Sequence, residues 1–475
     1  MSKSKQLAKN TLIIGLGRLS SQFLIFLLLP VYTTFLSTSE YGQLDLILIY
    51  VAVAAPVLTA QMEMAAFRHL IDARGDKNSV KKIVSSSLAI LVLGVTVSAI
   101  IFMSIAAVVS LELAVYIGLL FISIAFLNYM LQVTRGLGRN GLFAIASLMT
   151  GLTTVGLGIY LVAFNGEGIE GVLTASVTGN TVGLIMLIIT LRVWRHVKLS
   201  AIETGEVRKL LGYSWPLTLN HLGLWAINGL SRTAVAIIAG TAALGILAAA
   251  GKIPLIYTAL FSVFAMAWTE SAALHIKSED KDKFFTQVTD ATIRLFGSLA
   301  ICTVAVMSVA FPLLIAPDFG EARQLIPILI FGAFFGSVVA FYGAIYLAVK
   351  KTKEVAKITA MAVVLTLAMT LIGVPVFGVV AVAFAIAITY LYLTLVRYRD
   401  IKKYVTIQYD AAVVWSLVLV SGVVLYLYYL DDIGFSILSI AVAVLCTVYL
   451  NKSSIVSIRK TILNKSRKMN DEKTA

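Results

Sequence analysis

Three basic side chains interrupt long apolar stretches of the sequence. Arg18, Arg232 and Lys252 each lie several residues inside a run long enough to cross a bilayer. A charge near the centre of a membrane helix costs at least about 2.5–3.5 kcal/mol, so such residues usually face water and mark a transport path. No acid lies comparably deep. The pattern therefore predicts an aqueous cavity with a net positive field, suited to an anionic substrate.

Polar side chains accompany these cations at helical spacing. Gln22 follows Arg18 by four residues. A longer stripe has spacings of 4, 3, 4, 3 and 4, which keep one face of a helix; its members are Ser214, Thr218, His221, Trp225, Asn228 and Arg232. We expect Gln22, His221 and Asn228 to line the cavity.

Three carboxylates lie nearer the ends of the apolar runs. Asp45 and Glu63 are eighteen residues apart, as are Lys252 and Glu270, which is five helical turns and the same face. Asp45, Glu63 and Glu270 are therefore candidates for coupling transport to a proton or another ion.

Signatures of enzymes and metal sites are missing from the sequence. It has no Walker A, HExxH or GxSxG motif. Cys302 and Cys446 both lie in apolar runs and do not form a metal-binding CxxC pair. We expect neither ATP hydrolysis nor covalent catalysis, and no metal or bound cofactor; a proton gradient, a sodium gradient or the membrane potential remains as the energy source.

The composition is that of a membrane protein. Hydrophobic residues make up 59% of the 475 residues and charged residues 13%, against about 45–50% and 25% in soluble domains. A membrane helix needs about 20 apolar residues. We predict about fourteen such segments, hence an all-α integral membrane protein: 11–36, 41–66, 83–110, 112–134, 141–164, 171–193, 213–238, 243–273, 291–316, 325–348, 358–374, 379–396, 411–430 and 435–450.

The basic residues predict the orientation. With the N-terminus in the cytoplasm, 33 of the 38 lysines and arginines fall in inner segments, and the outer loops contain only Arg323. Cytoplasmic loops of membrane proteins carry such an excess. We expect a multi-pass protein of the cytoplasmic membrane with both termini inside.

A short internal repeat suggests the domain organisation. TSEYG at Thr38–Gly42 is echoed by TAALG at Thr241–Gly245, 203 residues and six predicted helices later. An even number of helices gives both copies the same orientation, so the repeats would be parallel. This predicts two six-helix lobes, 1–198 and 199–404, followed by two further helices and a basic tail in 405–475.

Two stretches resemble a known family. GRLSSQFLIFLLLPVYTTFLSTSEYGQLDL, with Arg18, the Glu-Tyr-Gly turn at Glu40–Gly42 and Asp45, resembles the first hairpin of the polysaccharide transport family. These are the Wzx-type flippases of the multidrug/oligosaccharidyl-lipid/polysaccharide exporter superfamily. SWPLTLNHLGLWAINGLSR, ending at Arg232, resembles the start of the second lobe. The family typically has Asp-Arg where this chain has Ser231 and Arg232, so the resemblance implies an arginine without an adjacent acid.

The resemblance implies a substrate and roles for the residues. The substrate would be a polyprenyl-diphosphate-linked oligosaccharide, moved from the inner to the outer leaflet for cell-surface polysaccharide biosynthesis. Arg18, Arg232 and Lys252 would hold the diphosphate, since arginine suits bidentate phosphate contact. Gln22, His221 and Asn228 would face the sugars, and rocking of the lobes would alternate access. Partners would be membrane lipid and, beyond it, polysaccharide polymerase and glycosyltransferases.

Other functions remain open on the sequence. A lipid II flippase of the same superfamily would also have fourteen helices and a basic cavity. A drug or cation antiporter would be expected to have twelve helices and a deep acid. A membrane polymerase or ligase would need a long outer loop with Arg or His, which the sequence lacks. A scaffold would not need cations deep in the bilayer.

Overall fold

The structure is built from helices. The computed structural model describes Leu24 and residues 26–349 and 351–452. These residues form fifteen α-helices and no strand. The helices are α1 Leu28–Phe35, α2 Thr38–Leu58, α3 Met62–Asp72, α4 Lys77–Val108, α5 Ala114–Gly136, α6 Asn140–Ile159, α7 Gly168–Leu191, α8 Thr204–Ile238, α9 Gly240–His275, α10 Lys281–Leu314, α11 Ala322–Ala348, α12 Thr352–Phe377, α13 Val379–Ile401, α14 Ala411–Tyr429 and α15 Ile433–Leu450.

Twelve helices in the described residues are long and apolar enough to span a membrane. They account for all predicted segments except two. Segment 11–36 lies largely outside the described residues. In α8 the polar stripe breaks the hydropathy, and only Gly229–Ile238 forms a shorter apolar stretch. The all-helical, multi-pass class is confirmed, and the number fourteen stays a prediction.

The predicted second segment, 41–66, is not one helix. It divides into α2 and α3, and Ala60 and Gln61 between them have φ of 50° and 49°. Left-handed backbone costs a non-glycine residue roughly 1–2 kcal/mol. Pro56 has no amide hydrogen to donate, and the Thr59 hydroxyl donates to the Ala55 carbonyl at 2.7 Å. Both features favour a break in the helix here.

The start of α2 is fixed by a capping box. The Ser37 hydroxyl accepts from the Glu40 amide at 3.2 Å, and the Ser37 amide donates to the Glu40 carboxylate at 2.8 Å. Such reciprocal bonds satisfy amides that a helix start leaves free. The cap therefore sets the position of Asp45, seven residues into α2.

The chain forms two compact units. Within the described residues, the first unit comprises the chain up to Lys252, with Asp318–Gly320 and Thr366–Val382. The second comprises Ile253–Pro317, Glu321–Leu365 and the chain from Ala383. The predicted division at 198 and 404 into repeat-related lobes stays a prediction.

Candidate functional site

The structure describes six of the nine predicted site residues with their side chains. Arg18 and Gln22 lie outside the described residues. Asn228 belongs to α8, but its side chain is not described. The proposed roles of these three residues stay predictions. Asp45, Glu63, His221, Arg232, Lys252 and Glu270 can be placed.

Arg232 and Asp45 form an ion pair between α8 and α2. Only 8% of the Asp45 side chain and 24% of the Arg232 side chain are exposed. Arg232 thus has an acidic partner, contrary to our expectation of an unneutralised cation. The partner comes from a residue 187 positions earlier. Asp45 lies seven residues from the start of α2 and Arg232 six from the end of α8, so both are roughly 10 Å from these ends.

Two hydrogen bonds near the ion pair also connect α2 and α8. The Trp225 indole donates to the Ile49 carbonyl at 3.0 Å, and the Tyr50 and Thr233 hydroxyls are 2.7 Å apart. Gly229 makes room for the indole, because a Cβ there would lie 2.2 Å from the Trp225 ring. The polar stripe of α8 therefore packs partly against α2.

Lys252 lies on α9 beside this ion pair. A Cβ at the preceding residue, Gly251, would be 3.3 Å from Nη2 of Arg232, so the α9 backbone approaches the guanidinium closely. Asp45 and Arg232 both interact electrostatically with Lys252. No ion pair of Lys252 is found within the described ranges. Asp45, Arg232 and Lys252, which we call the charged cluster, have a formal net charge of +1 by residue type.

The two copies of the short repeat contact each other about one helical turn from Asp45 on α2 and about two turns from Lys252 on α9. A Cβ at Gly42 would lie 1.9 Å from the Thr241 carbonyl oxygen, and a Cβ at Gly245 would lie 1.9 Å from the Thr38 carbonyl oxygen. The Ser39 and Thr241 hydroxyls are 2.7 Å apart. This repeat contact is reciprocal: each glycine admits the carbonyl of the other copy. At this contact the backbones of α2 and α9 touch, near the predicted outer ends of the two helices.

Three predicted residues lie outside the charged cluster. Glu63 is on α3, beyond the Thr38–Leu58 span, and burial raises the pKa of its carboxyl from 4.5 to about 7. His221 is half-buried on α8, and Glu270 is exposed in the second unit. The structure thus brings together Asp45, Arg232 and Lys252, but not these three.

A buried cation in the second unit was missed by the sequence analysis. Arg397 was assigned to an inner segment, but it belongs to α13 and is 6% exposed. Its guanidinium donates to the Val339 carbonyl at 2.9 Å and the Thr359 hydroxyl at 3.1 Å. Tyr390 and Thr394 share its helix face at spacings of 4 and 3, a polar stripe that the sequence could have revealed.

No metal site is visible in the part of the chain that the structure describes. No group of three His, Cys, Asp or Glu side chains there could hold a metal ion.

Comparisons with known proteins show the fold and the family. No curated protein matches the sequence significantly. The lipid II flippase MurJ in an inward closed conformation has 12% identity and a TM-score of 0.70, over 95% of this chain and 100% of that one. An inward-facing MATE multidrug resistance transporter of the MOP superfamily has 15% identity and a TM-score of 0.69, over 81% and 95%. At these identities the likeness is one of fold.

The family follows from a sequence model. The model described as "Polysaccharide biosynthesis protein" matches residues 7–269, more than half of the 475 residues. That match covers α1 to α8 and the charged cluster. Together with the twelve candidate membrane spans, it indicates a multi-pass membrane protein. The chain belongs to the polysaccharide biosynthesis protein family.

Proposed function

We propose that the protein moves a polyprenyl-diphosphate-linked oligosaccharide from the inner to the outer leaflet of the cytoplasmic membrane. The observation that carries this proposal is the charged cluster, in which Arg232 and Lys252 outnumber Asp45 inside the spanning part of the first unit. A diphosphate cannot cross hydrocarbon unaided, because burying an unpaired charge costs many kcal/mol. A net positive cluster lowers that cost.

In the proposed transporter, Asp45 is the ion-pair partner of Arg232 when no substrate is bound. Asp45 neutralises Arg232 while no substrate is bound, which avoids the penalty of a lone buried guanidinium. An arriving diphosphate offers Arg232 two oxygens in bidentate geometry. We expect the diphosphate to replace Asp45 at Arg232 and to be held also by Lys252 and Arg18.

The repeat contact supports alternating access. It keeps the predicted outer ends of α2 and α9 together, about one turn from Asp45 and about two turns from Lys252. Release of a substrate to the outer leaflet would require this contact to separate, as expected when two parallel repeats rock against each other. Moving two negative charges outward is favoured by an inside-negative potential, by about 2.3 kcal/mol per charge per 100 mV.

The proposal is tested by reconstitution into vesicles. The purified protein should transfer a fluorescent polyprenyl-diphosphate-linked oligosaccharide between leaflets, and Arg232→Gln and Lys252→Gln should each slow transfer at least tenfold. Arg294→Gln is the matched control, because Arg294 is paired with Asp290 and Asp410 outside the cluster. Equal transfer by all variants would refute the proposed role of the cluster.

The same assay separates the alternatives. A lipid II flippase would transfer lipid II faster than the lipid-linked oligosaccharide. A drug or cation antiporter would show neither transfer. Asp45 is a deep acid of the kind an antiporter needs, but its pairing with Arg232 leaves it neutralised, so the cluster favours an anionic substrate.

A further inference from the structure

The first unit has a polar cavity far from the charged cluster. Its volume is about 390 Å³, within the usual range of small-molecule sites. Three helices meet around it: α3, α4 and α8. The residues of this α3–α4–α8 pocket that bear on its chemistry are Arg68, His69, Asp72, Glu206, Lys209 and Tyr213. They belong to the predicted inner segments and the start of α8, on the side that we expect to face the cytoplasm.

Several hydrogen-bonding groups of the pocket are unused within the described structure. Oε1 of Glu206 is buried without a hydrogen-bond partner, and the Lys209 ammonium is 3.6 Å from it, beyond hydrogen-bond distance. The Tyr213 hydroxyl makes no hydrogen bond to another described residue. Nδ1 of His69 donates to the Ala65 carbonyl at 3.0 Å, which leaves Nε2 free. A buried carboxylate oxygen that accepts no hydrogen bond is costly, so a ligand hydroxyl that donates to Oε1 of Glu206 would be stabilised there.

The charges of the pocket are balanced. Arg68 is paired with Asp72 at 2.7 Å, and Lys209 lies beside Glu206. Lys82, which also lines the pocket, is paired with Glu203 at 2.7 Å. The bond from Arg68, with smaller effects of His69 and Lys209, lowers the pKa of Asp72. A phosphate would find each cation of the pocket already paired with a carboxylate. An uncharged polyhydroxyl compound needs no free cation, since its hydroxyls both donate and accept.

The aromatic rings add an apolar wall. Tyr213 and His69 meet edge to face, with centroids 5.5 Å apart, and the Tyr213 side chain is exposed to the pocket side of α8. A sugar ring presents hydroxyls at its rim and C–H groups on its faces. A carboxylate, an ammonium, an imidazole and a phenol around one cavity match that combination.

We propose that the α3–α4–α8 pocket binds an uncharged sugar ring of the oligosaccharide before the diphosphate reaches the charged cluster. This inference rests on the proposed function and names a first selection site for its substrate. Tyr213 and Arg232 are nineteen residues apart on α8, roughly 28 Å along the helix. A sugar ring attached directly to the diphosphate cannot span this distance, so such a ring would contact the pocket before its diphosphate reaches the cluster.

The test uses an oligosaccharide without lipid or phosphate. The probe is the repeat unit released by hydrolysis from the surface polysaccharide of the host, and its affinity for the purified protein is measured by saturation-transfer NMR. We expect Glu206→Gln and Tyr213→Ala each to weaken binding at least tenfold. Glu112→Gln, which changes an exposed carboxylate elsewhere, should leave it unchanged. Melting temperatures check that each variant is folded, and Lys209→Gln serves as a second variant for the same contact.

Two results would overturn the inference. One is binding that is absent from the wild type or equal in all variants, in which case water alone completes the pocket. The other is that inorganic diphosphate displaces the oligosaccharide from the pocket, and does so more effectively in Glu206→Gln. The pocket would then be an anion-binding site. The vesicle transfer assay distinguishes this inference from the proposed function. If the protein transfers substrate but does not bind the free oligosaccharide, the pocket is refuted and the proposed function stands. If binding depends on Glu206 but no transfer occurs, the proposed function is refuted and the pocket stands.

Discussion

A methyl group at the repeat contact should force α2 and α9 apart. An alanine Cβ at position 42 would lie 1.9 Å from the Thr241 carbonyl oxygen, whereas close C–H···O contacts have carbon–oxygen distances of about 3.3 Å. The helices would have to separate by roughly 1.4 Å in Gly42→Ala. Gly245→Ala meets the Thr38 carbonyl at the same 1.9 Å, so both variants should behave alike.

The energy of this overlap sets the expected effect. Overpacking of a tight contact costs about 1–3 kcal/mol. At 1.4 kcal/mol per tenfold change in an equilibrium, the equilibrium constant for closing the repeat contact should fall roughly fivefold to hundredfold. In this structure the backbones of α2 and α9 touch at the repeat contact. A weaker contact should therefore be measurable as a separation of these two helices.

Disulfide cross-linking measures that separation. The Ser39 and Thr241 hydroxyls are 2.7 Å apart, and cysteines at both positions should cross-link rapidly once Cys302 and Cys446 are replaced by alanine. Adding Gly42→Ala should slow cross-linking at least fivefold. Cross-linked protein should stop transferring substrate, and a reductant should restore transfer.

The matched control is Gly141→Ala, because no atom lies within 4 Å of a Cβ at that position. It should cross-link as fast as the parent. If Gly42→Ala and Gly141→Ala cross-linked equally fast, the close approach of α2 and α9 would be refuted. If the cross-linked protein still transferred substrate, the repeat contact would not need to open during transport.

Three further predictions concern the first unit. Asp45→Asn should lower the melting temperature, because losing a charge-assisted hydrogen bond to Arg232 costs about 2 kcal/mol. Inorganic diphosphate should stabilise this variant more than the wild type. An unchanged melting temperature would contradict the ion pair between Asp45 and Arg232. Gly229→Ala should displace the Trp225 indole, which lies 2.2 Å from the added Cβ, and destabilise the protein by about 1–3 kcal/mol, seen in denaturation and as altered tryptophan fluorescence. Because burial raises the pKa of Glu63 to about 7, the stability of the wild type should fall as the pH rises from about 4.5 to 7 and should stay low above pH 7. The melting temperature of Glu63→Gln should not show this fall between pH 5 and 8. An equal fall in both proteins would refute the raised pKa of Glu63.

The sequence determined the class of the protein. Runs of about 20 apolar residues cannot form a soluble core, and in lipid a continuous apolar run satisfies its backbone only as a helix. Helix positions therefore followed from local composition. The segment 213–238 is predicted in the same way and lies within α8, although only Gly229–Ile238 stands out there as a shorter apolar stretch in the described residues. The family resemblance likewise rested on short local motifs around Arg18 and Arg232.

Only the tertiary structure decided which residues meet. Asp45 and Arg232 are 187 residues apart, and no local pattern pairs them; they meet because α2 and α8 pack with both residues at the same depth. The five-residue echo at Thr38–Gly42 and Thr241–Gly245 was visible in the sequence, but its reciprocal contact was not. Helical periodicity gives the face of a residue and its depth, whereas the neighbour of that face depends on how distant helices pack.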